Sequence, residues 1–173
     1  KGRPPIAQDY PYYVLVESQG ADRELDTQRF NSAMESAFES GLIVDAAIAQ
    51  SDADSHGFWA LRDDVERVMH GGLPVVFDIS LPIAEMDAYA QGLKDRLVEA
   101  IGADHRLFIF GHLGDGNLHV VVQVPPAIYM SDRGKIEAVV YCGLECFRGA
   151  VSAEHGIGLE KKPWLAISRS EPE

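Results

Sequence analysis

The chain has 173 residues, 46% of them hydrophobic, and its 27 acidic against 15 basic side chains give a net charge of −12. This length and composition suffice for one globular domain with a packed core. The negative charge repels phosphate backbones and anionic membranes, so no nucleic acid is expected as a partner. No apolar run approaches the ~20 residues that a transmembrane helix needs, and the first residues lack a signal-peptide core. We therefore expect no transmembrane segment and a location in the cytoplasm or an organelle matrix.

The first half of the chain predicts strands that alternate with helices. Tyr12–Glu17 and Val44–Ala49 are predicted as strands. Between them, Asp26–Glu39 is predicted as a helix, because its large apolar residues recur every four positions. A second helix is expected to begin after the polar capping residue Ser51 and to continue to His70, where a pair of glycines ends it.

The second half predicts a hairpin between two long helices. Helices are expected at Ile83–Ile101 and Asp132–Arg148, and strands at Val75–Leu81, Arg106–Phe110 and Leu118–Val124. An Asp-Gly pair, a strong turn signal, lies between the last two strands. These two strands should therefore pair as a hairpin.

The order of these elements predicts an α+β fold. A hairpin requires an antiparallel neighbour, so we expect a mixed or antiparallel sheet with helices on one face. The layout of the two halves is similar and compatible with duplicated ferredoxin-like units. Because the composition shows no linker, we expect residues 1–173 to form one domain.

Two histidines flank the turn of the predicted hairpin. If His112 faces His119 across the strands, their side chains lie roughly 5 Å apart, which allows both imidazoles to bind one metal ion. Glu154 offers an oxygen as a third ligand, and three protein ligands would leave a coordination position open, as in catalytic metal sites. The alternative is an ordinary hairpin whose histidines are hydrogen-bonded. His155 follows Glu154 directly, so in extended backbone the two side chains point to opposite sides and must have different roles.

Four sequence segments together resemble a known family. They are Phe58–Asp64 (FWALRDD), Phe77–Pro82 (FDISLP), Gly111–His119 (GHLGDGNLH) and Ser152–Leu165 (SAEHGIGLEKKPWL). In this order and spacing they resemble the C-terminal substrate domain of FAD-linked 2-hydroxy-acid dehydrogenases, the D-lactate, glycolate and D-2-hydroxyglutarate dehydrogenases of the vanillyl-alcohol-oxidase superfamily. The resemblance implies that FAD is bound mainly by a preceding domain, so residues 1–173 are expected to be a fragment that lacks this domain and the extreme C-terminus.

The resemblance also implies roles for individual residues. The metal would be bound by His112, His119 and Glu154. His155 would accept the proton of the substrate's hydroxyl group. Arg62 would hold the substrate carboxylate. Contacts with the cofactor are expected from three further residues, which are Gly114, Asn117 and Gly156. Two nitrogen ligands and one oxygen ligand favour zinc, with manganese and iron as alternatives.

Three positions depart from the members of the family that oxidise dicarboxylic hydroxy acids. Those members carry a lysine, a Thr or Ser, and an Asn where this chain has Val76, Glu66 and Val121. Because an unpaired buried carboxylate is costly, we expect a substrate resembling D-lactate, with a single carboxylate.

The remaining expectations concern partners and alternative functions. The resemblance implies electron transfer to a quinone, a cytochrome or an electron-transfer flavoprotein, and a homodimer is left open. Lys161 and Trp164 are expected to be surface or interdomain residues. Two other functions compete: a free-standing metallohydrolase with the same ligands, against which the absence of a His-Glu-x-x-His motif counts, and a non-catalytic small-molecule-binding domain.

Overall fold

The computed structural model describes residues 4–169 and contains two compact units, which divide between Val65 and Glu66. Each unit is described by itself. In the described part of the chain, no helix combines the length and apolar character that crossing a membrane requires.

The first unit contains two helices with side-chain caps. Helix α1 spans Arg23–Glu39 and helix α2 spans Asp52–Arg62. The carboxylate of Asp22 accepts a hydrogen bond from the backbone N–H of Leu25, and the hydroxyl of Ser51 accepts one from Asp54. Such caps satisfy backbone donors that have no partner within the first helical turn. Both helices were predicted, although α2 ends at Arg62 rather than at His70.

The two strands predicted for the first unit are wrong. Within residues 4–65 neither Tyr12–Glu17 nor Val44–Ala49 forms a strand. A strand exists only where a neighbouring strand accepts and donates its backbone hydrogen bonds. Apolar side chains in both segments are also exposed, so neither segment has the buried face that fixes strand register.

The second unit is built on a three-stranded antiparallel sheet. Its strands are β1 at Leu73–Ser80, β2 at Arg106–His112 and β3 at Asn117–Val124, in the order β1-β3-β2. Helix α3 spans Met86–Ile101 after a short 3-10 turn, and helix α4 spans Pro126–Glu145. The α+β class and the antiparallel sheet are confirmed.

The connections of this unit follow the ferredoxin-like pattern. The chain runs β1-α3-β2-β3-α4, and after α4 the backbone of Ala150 pairs with Ser80 at the open edge of β1. A ferredoxin-like unit places its last strand at that edge. Helix α4 begins six residues earlier than predicted, at Pro126, because proline at the first helical position lacks only a donor that would be unsatisfied anyway.

One face of the sheet and the two helices enclose the hydrophobic core. The buried residues of α3 recur at helical spacing, as in Tyr89, Leu93 and Leu97, and pack with those of α4 and the sheet. The hydroxyl of Tyr89 donates a hydrogen bond to the backbone oxygen of Val140 and links the two helices. Because the helices cover this face, only the opposite face of the sheet is available for a site.

Candidate active site

The turn between β2 and β3 sets the position of the two histidines. It consists of a 3-10 turn at Leu113–Asp115 followed by Gly116, whose φ of 76° is left-handed. A side chain at Gly116 would also lie 2.6 Å from the backbone oxygen of Leu81, so glycine is required there. This connection is longer than the two-residue turn that the Asp-Gly pair predicts.

The longer turn changes the register of the hairpin. His119 pairs with Phe110, and His112 pairs with Asn117, so the predicted direct opposition of the two histidines is wrong. They are diagonal neighbours on the same face, with ring centroids 5.4 Å apart. Diagonal neighbours remain within reach of long side chains. The hairpin therefore still brings both imidazoles together.

Glu154 completes a three-residue cluster with these histidines. Its Oε1 lies 3.6 Å from Nε2 of His112, and one ligand atom from each of His112, His119 and Glu154 lies within 4.8 Å of the others. Ligands at about 2.1 Å from one ion are at most about 4.2 Å apart, so a closure of about 1 Å would form the site. Two imidazoles and a carboxylate are a donor set that divalent transition metals accept, and the residues fit such an ion.

His119 is held neutral by its surroundings. Burial lowers the pKa of its imidazole below the usual value, although the nearby carboxylates of Asp78 and Glu154 oppose the change. A neutral imidazole has a lone pair on one ring nitrogen, which a metal ion requires.

Asp78 lies beneath the cluster and was not singled out as a site residue from the sequence. Only 2% of it is exposed, and it stands directly opposite His119 in the pairing of β1 with β3. Burial alone would raise the pKa of its carboxyl, but backbone N–H donors and the Lys161 ammonium lower it. The sequence does indicate its importance, because Asp78 is a charged residue inside an otherwise largely apolar strand and a buried charge requires partners.

Lys161 is one of those partners, so it is not a surface residue, while the other expectation, an interdomain position, stays a prediction. Its side chain is largely buried, and its Nζ donates hydrogen bonds to the backbone oxygen of Asp78 and to Oγ of Ser152, both at 3.1 Å. The Nζ also lies 3.8 Å from Oδ2 of Asp78. Trp164 is partly buried and stacks near Tyr141 of α4.

His155 extends from the same segment as Glu154. Its Nδ1 lies 4.0 Å from Oδ2 of Asp78, and its ring centroid is 6.3 Å from that of His119. The side chain is 66% exposed. It therefore borders the cluster and remains accessible to a small molecule. Its role as a proton acceptor stays a prediction.

Asn117 is the most deeply buried of the predicted cofactor-binding residues. It is 1% exposed, and within residues 4–169 neither its Oδ1 nor its Nδ2 has a hydrogen-bond partner. It lines a polar cleft together with Ser80, Asp115, Ser152, Ala153 and Glu154. An unpaired buried amide costs about 1–3 kcal/mol, so a ligand that supplies both a donor and an acceptor fits here.

The predicted glycines differ in how much space surrounds them. A Cβ at Gly114 or Gly156 would meet nothing within 4 Å in the described residues, and neither has a positive φ. A Cβ at Gly111 would collide with the backbone oxygen of Asn117, so this glycine serves the close packing of β2 on β3. Cofactor contact at Gly114 and Gly156 stays a prediction.

Arg62 ends helix α2 in the first unit. Its guanidinium donates a hydrogen bond to the carboxylate of Asp63 at 3.0 Å and lies 5.9 Å from the ring centre of Trp59. The side chain is half-exposed. The predicted contact with a substrate carboxylate remains a prediction.

The sheet next to the cluster is apolar. Val121 of β3 pairs with Val76 of β1 and Phe108 of β2, and this row adjoins the row that contains Asp78 and His119. Val76 is 49% exposed. The three side chains of this row carry no charge, and the guanidinium of the neighbouring Arg106 lies 4.9 Å from the ring centre of Phe108.

Comparison with known proteins finds similar sequences over almost the whole chain. A family model described as "FAD linked oxidases, C-terminal domain" matches residues 3–173. A D-2-hydroxyglutarate dehydrogenase from Xanthomonas citri pv. viticola is 35% identical, across 98% of this chain and 36% of the relative. The mitochondrial D-2-hydroxyglutarate dehydrogenase of Rattus norvegicus is 36% identical, across 94% of this chain and 30% of the relative.

A relative with a different name is similar to the same extent. A mitochondrial protein of Schizosaccharomyces pombe, named "Putative D-lactate dehydrogenase", is 34% identical across 96% of this chain and 33% of its own length. The chain spans about a third of the length of the curated relatives it matches.

Proposed function

Because the chain belongs to the family of C-terminal domains of FAD-linked oxidases, we propose that it is the substrate- and metal-binding part of a longer dehydrogenase. That enzyme oxidises a D-2-hydroxy acid to the 2-oxo acid, and FAD is held mainly by a domain outside residues 1–173. The observation that carries the proposal is the convergence of His112, His119 and Glu154 beside the accessible His155.

His112, His119 and Glu154 would hold the divalent metal. When bound, the metal supplies a positive charge beside the substrate's hydroxyl oxygen and so favours its loss of a proton. We propose zinc, with manganese or iron as alternatives, because nitrogen-rich mixed ligand sets suit these ions.

We propose a separate task on the substrate for each candidate residue of the two units. His155 accepts the hydroxyl proton, because its imidazole carries a nitrogen lone pair and its side chain is 66% exposed beside the cluster. Arg62 holds the substrate carboxylate with two parallel hydrogen bonds. FAD, when bound, supplies the acceptor for the hydride that leaves C2 as the C2–O bond becomes a carbonyl. The amide of Asn117, which has no hydrogen-bond partner within residues 4–169, fits the donor and acceptor groups on the edge of a flavin ring.

We propose a substrate with one carboxylate, such as D-lactate. The names of the relatives cover both D-2-hydroxyglutarate and D-lactate dehydrogenases, so they do not decide between the two substrates. The support comes from the apolar row of Val76, Val121 and Phe108 beside the cluster. A second carboxylate on this row would lose hydration, and none of the three side chains that form the row could pair with its charge.

Electron transfer to a quinone, a cytochrome or an electron-transfer flavoprotein completes the proposed reaction. The proposed location is the cytoplasm or an organelle matrix, and two of the relatives described above are named as mitochondrial.

Flavin reduction in the full-length protein tests the proposal. D-lactate added without oxygen should bleach the flavin absorbance, whereas L-lactate should not. Arg62→Ala should lower kcat/KM for every hydroxy acid by roughly ten- to a hundred-fold, the value of a charge-assisted contact.

The matched control is Arg29→Ala, which removes another exposed arginine paired with a carboxylate on a helix of the same unit. It should leave kcat/KM unchanged. A protein without flavin that hydrolyses esters or amides with the same metal ligands would replace the proposal with the metallohydrolase alternative.

A further inference from the structure

We propose that Asp78 is the positioning residue of the metal site: its two carboxylate oxygens orient ligands that come from separate parts of the chain. One oxygen holds the backbone of the segment that carries Glu154, and the other fixes which ring nitrogen of His119 bears the proton. This inference rests on the proposed function, since it concerns the metal site proposed there.

The first half of the argument is the anchoring of the Glu154 segment. Oδ2 of Asp78 accepts hydrogen bonds from three consecutive backbone N–H groups, those of Ala153 at 3.2 Å, Glu154 at 3.0 Å and His155 at 2.8 Å. Successive N–H groups that converge on one anion form a nest. The segment has no regular secondary structure, so this carboxylate supplies the bonds that a strand or helix would otherwise provide.

Lys161 closes the other end of the same segment. Its ammonium bonds to the backbone of Asp78 and to Ser152, while the hydroxyl of Ser152 donates to the backbone oxygen of His155. The residues from Ser152 to Lys161 are thus tied to β1 at both ends. Glu154 and His155 lie between these two attachment points, so the positions of their side chains depend on Asp78.

The second half of the argument is the oxygen that remains. Oδ1 of Asp78 is buried and accepts no hydrogen bond within residues 4–169, yet it lies 3.8 Å from Nδ1 of His119. The imidazole N–H at Nδ1 is therefore the donor suited to this oxygen. With the proton on Nδ1, the lone pair of His119 is on Nε2, at the other side of the ring. Histidines that bind metals commonly donate their second nitrogen to a carboxylate in this way.

The substitution Asp78→Asn distinguishes this positioning role from a role in packing alone. Asparagine has almost the same shape, and its single oxygen can still accept the three backbone N–H groups. Its amide NH₂ would then face Nδ1 of His119 as a donor. That contact favours the tautomer of His119 with the proton on Nε2. In this tautomer Nε2 has no lone pair to donate to the metal.

Co²⁺ titration of the full-length apoprotein provides the test, because the absorbance of bound Co²⁺ reports both affinity and coordination. Asp78→Asn should weaken Co²⁺ binding by about 10- to 100-fold, the usual effect of removing a carboxylate behind a histidine ligand. The matched control is Gln123→Leu. Gln123 of β3 is equally buried on the same face of the sheet as Asp78 and donates to the backbone oxygens of Val68 and His70. This control should lower Tm and leave Co²⁺ affinity unchanged.

Nuclear magnetic resonance of ¹⁵N-histidine in the apoprotein gives a second reading that needs no variant. The wild-type spectrum should show His119 with its proton on Nδ1, and that of Asp78→Asn should show it on Nε2. A wild-type proton on Nε2, or equal Co²⁺ affinity in wild type and Asp78→Asn, would overturn the inference. Failure of the wild-type protein to bind Co²⁺ at all would instead contradict the proposed metal site itself.

Discussion

The two faces of strand β3 are both largely buried, but they are covered by different kinds of structure. One face carries Leu118, Val120, Val122 and Val124, which pack with helices α3 and α4. The other face carries Asn117, His119, Val121 and Gln123. On this side, Gln123 donates hydrogen bonds to the backbone of Val68 and His70, and the segment after α4 is held to the sheet by hydrogen bonds to Asp78.

The difference lies in what each face requires of its side chains. The helix face needs apolar volume, so residues of similar size can substitute for one another at modest cost. The polar face depends on particular atoms, such as Oδ2 of Asp78. It also contains buried groups without partners in the described residues, including Oδ1 of Asp78 and the amide of Asn117. Such groups cost stability and are expected where a ligand completes the site.

The largest expected effect comes from removing a proposed metal ligand on the polar face. His119→Ala should abolish stoichiometric metal binding in the full-length protein, because only His112 and Glu154 would remain as ligands. Its Tm without metal should fall modestly, because the substitution removes the imidazole beside the buried Oδ1 of Asp78 and its ring contacts with Phe110 and His112.

Elemental analysis of the purified protein before and after substitution measures this effect. His105→Ala is the control, because His105 is a partly exposed histidine just before β2 whose side chain, in the described contacts, bonds only to the nearby backbone oxygen of Gly102. Metal that persists at one equivalent in His119→Ala would remove His119 from the ligand set.

A substitution on the helix face is expected to lower stability and to leave metal affinity unchanged. Leu97→Ala truncates a fully buried residue of α3 and should lower the free energy of unfolding by about 2–5 kcal/mol. Metal affinity should stay unchanged as long as the protein is folded, because Leu97 lies on the core side of the sheet. Chemical denaturation and Co²⁺ titration of the same preparation check both statements. A parallel loss of Co²⁺ affinity would show that the two faces are not independent.

The smallest expected effect tests the apolar row on the polar face. Val76→Lys places a cation beside the cluster at a half-exposed position that tolerates a long side chain. It should raise kcat/KM for D-2-hydroxyglutarate relative to D-lactate by roughly ten-fold, near the lower end expected for a charge-assisted contact. Val98→Lys, at a similarly exposed position on α3, is the control and should leave the ratio unchanged. A wild-type preference for the dicarboxylate would show that another basic residue holds the second charge.

The sequence by itself determined the α+β class, the hairpin and the three residues of the His112, His119 and Glu154 cluster. Local patterns suffice for these features: apolar residues at helical spacing predicted α1 and α3, and a turn signal between two apolar runs predicted β2 and β3. The candidate ligands were recognisable because histidines beside a glycine-rich turn have no packing role. The family resemblance added roles that no periodicity contains, and the family itself is confirmed.

Only the tertiary structure decided which residues meet across the sheet. The register of β2 on β3 depends on the full geometry of the turn, so the pairing of His119 with Phe110 was not predictable from the Asp-Gly pair. Asp78 and Lys161 are 83 positions apart and meet only because β1 and the segment after α4 lie side by side. The failed strands of the first unit have the same cause, since strand formation depends on partners that are distant in sequence.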